Sequence, residues 1–496
     1  MSCGFTFFSV CFSIKKRYEN ARLPIYFRIF AAEEPTNTLI SMKMKTTITV
    51  LMLCATIGAS SQTAREEIKE NLYLSGSNYL DYDRQLSTTP LTPTPKGYEP
   101  FYMSHYGRHG SRWLIGEGDY TTPLNIMRDA HQAGKLTAEG ESVLKKLEDF
   151  YPTTVKRLGE LTTVGERQHH GIGSRMARNF PEIFKAKNVA IDARSTVVIR
   201  CILSMEAECE ELAAANPSAR IHNDVSESFQ YYLNQGWSDD LRKHSRDGRK
   251  VLNVYEQKYS HPERLMKLLF NDQQYVFDNI RASSLMRQLF EVASNMQSHD
   301  TDIELYSLFT DDEVYDQWRM RNIGWYLDYA AAPQTGAVMP FSQLNLLKNI
   351  IETADTIVPC SAAVSDGSPS GSPSRSLSSL LSPLSSKTPQ ATLRFGHEVC
   401  VMPLACLLEL GNCGAQVENL DTLDNVWRNY RIFPMACNVQ LIFYRPVKGK
   451  PGDILVKAML NEREMTLPVK PVSGLYYRWA DLRQYYLDKI ERFSKR

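Results

Sequence analysis

Phe101-Tyr102-Met103-Ser104-His105-Tyr106-Gly107-Arg108-His109-Gly110-Ser111-Arg112 is the stretch from which the rest of the chain is read. Phe101 to Tyr106 is a short alternating run and predicts a strand. Gly107 and Gly110 bracket Arg108 and His109, so the chain turns there and its backbone can approach a ligand closely. His109 stands between Arg108 and Arg112. Two guanidiniums disfavour a charged imidazole and push it toward its neutral, nucleophilic form. They also fork onto the oxygens of a phosphate or carboxylate. A neutral imidazole facing a clamped phosphoryl group can take that group covalently. Taken alone, the pentapeptide also reads as a solvated basic turn after a strand.

Two further stretches share the pattern. Ala391-Thr392-Leu393-Arg394-Phe395 predicts a strand with Gly396-His397-Glu398 at its end. Pro403 then opens an apolar, helix-like run, Leu404 to Leu408, closed by Gly411. A His–acid pair at a strand-to-helix junction is where α/β proteins put chemistry. On their own, His397 and Glu398 also read as a packed histidine beside a helix-start acid. Asn188 to Arg194 alternates like a strand and ends at Arg194-Ser195-Thr196. A helix follows, with Val198, Cys201, Ile202, Met205, Cys209 and Leu212 on one face. Arg194 thus projects from a strand end, although alone it is an ordinary surface arginine.

Together these pieces resemble the histidine acid phosphatase family, branch 2 of the histidine phosphatase superfamily. That family shows RHGxRxP, then LTxxGxxQ, then RST after a strand, then GH followed by an acid. Arg108 to Arg112, Leu161 to Gln168, Arg194-Ser195-Thr196 and Gly396-His397-Glu398 match it in order. The resemblance spans roughly residues 95 to 480. Leu114 stands where the family has proline, and Glu398 where most members have aspartate. The multiple inositol polyphosphate phosphatase branch instead carries His-Ala-Glu; its acid position is Val399 here. Glu398 therefore fills the general-acid position of the aspartate-bearing members, one methylene longer.

The resemblance implies an α/β fold: a phosphoglycerate-mutase-like sandwich with a central, mostly parallel sheet flanked by helices and an inserted α-helical cap lobe. It implies a phytase-like phosphomonoesterase acting on a small phosphate ester. Inositol polyphosphates are the leading substrates, with 2,3-bisphosphoglycerate and simple monoesters behind. Arg108, Arg112, Arg194 and His397 would hold the phosphate, and His109 would attack phosphorus. Glu398 would protonate the leaving alcohol and then activate water. No metal and no cofactor is expected, because arginines supply the positive charge. A phosphotransferase or mutase, or a phosphate-binding protein without turnover, are the other classes; the intact His109 and Glu398 speak against the last.

Composition agrees with a globular enzyme. A chain of 496 residues can bury a large core and carry more than one lobe. A formal net charge of +1 argues against nucleic acid as partner. No internal repeat, P-loop, GxGxxG or HExxH motif occurs. Residues 1–61 read as a non-mature N-terminus with a signal peptide over about 42–61. Met42-Lys43-Met44-Lys45 is basic, Ile48 to Ile57 is apolar but too short to span a bilayer, and Ala59-Ser60-Ser61 offers small residues for cleavage after Ser61. Translation would start at Met42 or Met44. The mature chain is then exported, periplasmic or secreted, without a transmembrane span.

Residues 62–220 are assigned to the first part of the α/β core, 221–353 to the cap lobe, and 390–496 to the second part. Residues 361–389 are Ser/Pro-rich, low in complexity and expected to be disordered. The runs Asn438 to Tyr444 and Ile454 to Leu460 flank Lys448-Gly449-Lys450-Pro451-Gly452 and predict a C-terminal hairpin. Processing would leave Cys201, Cys209, Cys360, Cys400, Cys406, Cys413 and Cys437, an odd number, so at least one cannot pair within the chain. His169 and His170 are neighbours that diverge on a helix, which favours a structural role over joint metal ligation. His105 is expected to pack or hydrogen-bond beneath the loop.

Overall fold

β1 (Tyr98–Arg108) runs through the middle of a nine-stranded sheet. The computed structural model describes residues 62–86, 89–358 and 388–495. The leader, Cys360 and residues 361–387 of the Ser/Pro-rich segment lie outside the described residues. On one side β1 pairs in parallel with β4 (Ala391–Gly396). β4 pairs in parallel with β2 (Ala190–Ser195), and β2 with β3 (Arg220–Val225). On the other side the sheet is antiparallel. β5 (Asn438–Pro446) borders β1 and forms a hairpin with β6 (Leu455–Leu460). β7 (Arg463–Met465) and β9 (Tyr476–Arg478) join β6, and β8 (Pro471–Ser473) joins β9.

The parallel half explains the sequence of β4, which is buried from end to end because helices cover both faces. Its one charged residue, Arg394, is satisfied inside: Nε donates to Asn349 Oδ1 at 2.9 Å and Nη1 to Ser104 Oγ at 3.0 Å. The helices Thr163–Asn179 and Ile199–Ala215 pack Ile172, Met176, Met205 and Leu212 against Ile191, Ala193 and Leu393 on one face. The helices Leu344–Ile357, Glu398–Leu407 and Trp479–Ser494 cover the other.

A separate helical lobe has its own core, and its limits differ from the expected 221–353. Residues 221–225 belong to β3 and hence to the sheet. The helix Leu344–Ile357 packs on the sheet as well. Conversely, Tyr120, Leu124, Met127, Val143 and Leu147 of the helices Glu117–Gln132 and Ala138–Phe150 bury with Leu265, Leu289, Phe290 and Trp318. Ala64, Ile68, Tyr79 and Leu80 and, later in the chain, Tyr430 and Met435 join the same core, so the lobe is assembled from several separate chain segments. An amphipathic helix declares that it has an apolar face but not which core receives it.

Six cysteines among the described residues are buried and unpaired. Among those residues no helix is long and apolar enough to cross a membrane.

Candidate active site

Parallel strands end together, so the loops leaving β1, β4 and β2 meet at one edge of the sheet. Arg108 pairs with Gly396, and His109 N donates to Gly396 O at 3.0 Å, which sets the loops after β1 and β4 side by side. The rings of His109 and His397 are 5.6 Å apart between centroids. His397 caps the helix Glu398–Leu407, placing Glu398 in its first turn, where the helix dipole favours a carboxylate.

The LTxxGxxQ segment clamps the β1 loop from outside. Thr162 N donates to Ser111 O at 2.9 Å, Ser111 N donates to Gln168 Oε1 at 2.9 Å, and Gln168 Nε2 donates to Ser111 Oγ at 3.0 Å. Gly110 and Gly165 touch backbone to backbone. A Cβ on Gly110 would lie 2.3 Å from Gly165 O, and one on Gly165 2.3 Å from Ser111 O. Neither neighbour is a flexible side chain. Gly165→Ala is therefore expected to lower stability by about 1–3 kcal/mol, the usual scale of overpacking, read as a drop in thermal melting temperature. An unchanged melting temperature would show that the loop and helix part freely.

His109 is buried, and Nδ1 lies 2.8 Å from Gly110 O. That contact requires the proton on Nδ1 and leaves the lone pair on Nε2. Burial, then the charges of Arg108 and Arg200, then His397 and Arg112, hold the imidazole well below its usual pKa and therefore neutral. His397 is lowered to about 4, chiefly by burial and then by Arg200, Arg108 and Arg112 against the opposing pull of Glu398.

Glu398 Oε1 lies 3.0 Å from Arg108 Nη2, and Oε2 lies 3.8 Å from His109 Nε2. Burial works against the carboxylate, but Arg108, Arg112 and His397 outweigh it and hold its pKa at about 2. Without a ligand Glu398 is therefore ionised, and to protonate a leaving alcohol it must first gain a proton.

Arg108 is fully buried; Nη1 donates to Asn78 O at 2.5 Å and to Pro434 O at 3.1 Å. The buried Nε atoms of Arg108, Arg112 and Arg200 have no acceptor among the described residues. Orphaned donors of this kind call for a ligand. His109, His397 and Glu398 offer atoms within 4.8 Å of one another, a span a metal could use. Three surrounding guanidiniums make the spot electropositive, which suits an anion and opposes a dication.

The structure does not bring Arg194 to this cluster. It ion-pairs with Asp192 at 3.0 Å, donates to Tyr232 Oη at 3.2 Å and stacks on Phe229. Along a strand, residues two apart share a face, so Arg194 is directed to Asp192. The third guanidinium comes from Arg200, in the first turn of the helix after β2. Its position six residues beyond Arg194, at the second residue of that helix, was the readable signal. Asn78 and Tyr79, from the N-terminal segment, had none. Asn78 Nδ2 donates to Glu398 Oε1 at 3.4 Å, and Arg112 lies over the Tyr79 ring at 5.5 Å. His105 packs against Phe395 at 5.3 Å with neither ring nitrogen bonded, and is lowered to about 4 by burial. His169 and His170 diverge, to Glu208 and to Glu211, each at 3.1 Å.

No protein-family model and no curated protein matches the chain. Solved structures do. The multiple inositol polyphosphate phosphatase of Bifidobacterium longum in complex with inositol hexasulfate aligns with a TM-score of 0.64 at 16% identity, over 84% of this chain and 97% of that one. Its complex with phosphate aligns at 0.61 and 18%, over 84% and 98%. The phytase from D. castellii aligns at 0.56 and 14%, over 84% and 85%. At these identities the likeness is one of fold: the chain shares the fold of these inositol polyphosphate phosphatase and phytase structures.

Proposed function

We propose that this protein is a phosphomonoesterase that works through a phosphohistidine and acts on inositol polyphosphates. One observation carries the reading: a neutral His109 with its Nε2 lone pair free, ringed by buried guanidinium N–H groups that lack acceptors. A terminal phosphate would satisfy Arg108, Arg112 and Arg200, with His397 alongside. Preset donors of this kind stabilise the charge on the equatorial oxygens during transfer.

In the first step the Nε2–P bond forms and the ester P–O bond breaks. The leaving oxygen takes a proton from Glu398 and departs as the alcohol. In the second step water attacks phosphorus, its proton returns to Glu398, and the N–P bond gives its electron pair back to His109. Glu398 must acquire its proton after substrate enters. A phosphate dianion among the guanidiniums cancels the charge that keeps Glu398 ionised, and so raises its proton affinity. The first step then slows as pH rises through the value Glu398 adopts in the complex, which puts the kcat optimum on the acid side.

The helical lobe supports a substrate with several phosphates. A cavity of about 980 Å³ is lined by Arg249, Arg281, Arg287 and Arg321. Arg321 lies 5.6 Å from the Tyr79 ring, over which Arg112 lies at 5.5 Å, so one buried ring stands between a cavity arginine and a cradle arginine. Arg249, Arg287 and Arg321 approach their nearest carboxylates only at 3.8 to 3.9 Å, beyond hydrogen-bond range. 2,3-Bisphosphoglycerate, with two phosphates, belongs to the same substrate class. Cleavage of the leader at Ser61 would deliver the enzyme outside the cytoplasm.

The test is phosphate release from p-nitrophenyl phosphate, inositol hexakisphosphate and 2,3-bisphosphoglycerate. Turnover of all three with the best kcat/KM on the hexakisphosphate is expected; turnover of none overturns the reading. Arg200→Ala should lower kcat/KM by about 2–4 kcal/mol of transition-state stabilisation, the scale for one preset charged donor. Arg194→Ala should stay within a few-fold of wild type. The reverse pattern would restore Arg194 to the cradle.

A further inference from the structure

Glu398 presents two unlike oxygens. Oε1 faces donors: Arg108 Nη2 at 3.0 Å and the side-chain amide of Asn78 at 3.4 Å. Oε2 faces His109 Nε2 at 3.8 Å, the side on which phosphorus must stand. An oxygen ion-paired to a guanidinium and accepting from an amide is a poor place for a proton, so the proton of the neutral acid is favoured on the other oxygen. We infer that Asn78 is a positioning residue for proton transfer: it locks Glu398 by Oε1, so that the proton of the neutral acid resides on Oε2 and points at the leaving oxygen. This inference rests on the phosphatase reading of the site.

The local backbone supports it. Ser77, just before Asn78, has φ 60° and ψ −118°, a strained conformation for a residue with a side chain. The surroundings hold it there, since Asn429 Nδ2 donates to Ser77 Oγ at 2.7 Å. The turn at Ser77 brings both ends of Asn78 to bear: its carbonyl accepts from Arg108 Nη1 at 2.5 Å while its amide reaches Glu398. One residue thus grips the arginine and the acid together. Arg108 alone would not suffice during the reaction, because an incoming phosphate competes for its Nη2. The neutral amide of Asn78 is drawn to a phosphate less strongly than a guanidinium is, and stays with Glu398. A glutamate, with one more rotatable bond than aspartate, has more need of such an anchor.

The experiment compares Asn78→Ala and Asn78→Asp with wild type on two substrates. Hydrolysis of an alkyl phosphate such as inositol hexakisphosphate needs the proton, whereas p-nitrophenyl phosphate, with its good leaving group, needs it little. Asn78→Ala is expected to lower kcat on the alkyl ester roughly 10-fold, within reach of a partial loss of acid catalysis, with p-nitrophenyl phosphate within about 2-fold and both KM values nearly unchanged. Asn78→Asp replaces the donor by a second carboxyl facing Oε1. It should show the same selective loss and shift to higher pH the limb on which kcat falls with rising pH, since a second carboxylate raises the proton affinity of Glu398. If Asn78→Ala fails to fold, Asn78→Asp, of nearly the same shape, decides by the same ratio. Equal losses on both substrates, or none, would overturn the role of Asn78 while leaving the phosphatase reading intact. A wild type that turns over neither substrate would overturn both.

Discussion

His109→Ala is expected to release no phosphate from any ester while keeping the wild-type melting temperature. Among the described residues no other nucleophile shares its position: the neighbouring imidazole, His397, sits 5.6 Å away between ring centroids and belongs to the proposed phosphate cradle. Covalent transfer splits one hard displacement into two easier ones, and deleting the attacking atom removes both. Removing an imidazole that is buried but held to the protein by a single carbonyl contact should leave the fold intact. Rapid mixing with ³²P-labelled substrate, followed by quenching and gel separation under alkaline conditions that preserve phosphohistidine, should trap label on wild type only. Turnover above a few per cent in the variant, or label retained on it, would take the nucleophile's role from His109.

Glu398→Gln should be nearly as severe on the right substrate. The glutamine keeps the shape and can still accept from Arg108 and Asn78, but it cannot deliver a proton to an alkoxide. Inositol hexakisphosphate hydrolysis should fall roughly 100-fold or more, the range of lost acid catalysis. p-Nitrophenyl phosphate should be comparatively spared. The sign of the pH effect is set by the charge balance. Glu398 is held at about 2 in the ligand-free site, so it is ionised at any ordinary pH and gains its proton only in the complex. The fall of kcat with rising pH should therefore vanish in Glu398→Gln while the pH dependence of substrate binding remains. Equal losses on both esters would mean that Glu398 orients its neighbours and donates nothing. Glu398→Asp should retain part of the activity.

The strand-and-loop motif around His109 and the His397–Glu398 junction were legible because their chemistry is compressed into a few consecutive residues at strand ends. The parallel sheet could be inferred from them. Arg194 misled for the same reason: the eye stops at a strand end, whereas the guanidinium that reaches the site lies six residues further on, at Arg200 in the first turn of the next helix. Asn78 and Tyr79 were invisible because no local pattern marks a segment whose only role is to be laid across a distant loop. The extent of the helical lobe was hidden by a similar ambiguity, since the helices Glu117–Gln132 and Ala138–Phe150 carry an apolar face that suits either core. The charge state of Glu398 depends on three groups brought together only by folding, and no spacing rule yields it.

The place of β4 has a consequence for how the molecule comes into being. It is inserted between β1 and β2, with Met103 of β1 and Ile191 of β2 both in register with Ala391. Most of the helical lobe is synthesised before it, with Tyr430 and Met435 of the lobe's core following after. Until β4 arrives, β1 and β2 expose facing edges with nothing between them, and such edges invite pairing with other chains. Contacts this remote in sequence also make for slow folding. A nascent or proteolysed chain ending near Val358 would hold most of the lobe helices, His109 and Arg200, yet have a slot where its central strand belongs. Such a fragment should aggregate rather than show partial activity. Assembly of the catalytic centre is thus tied to completion of the chain.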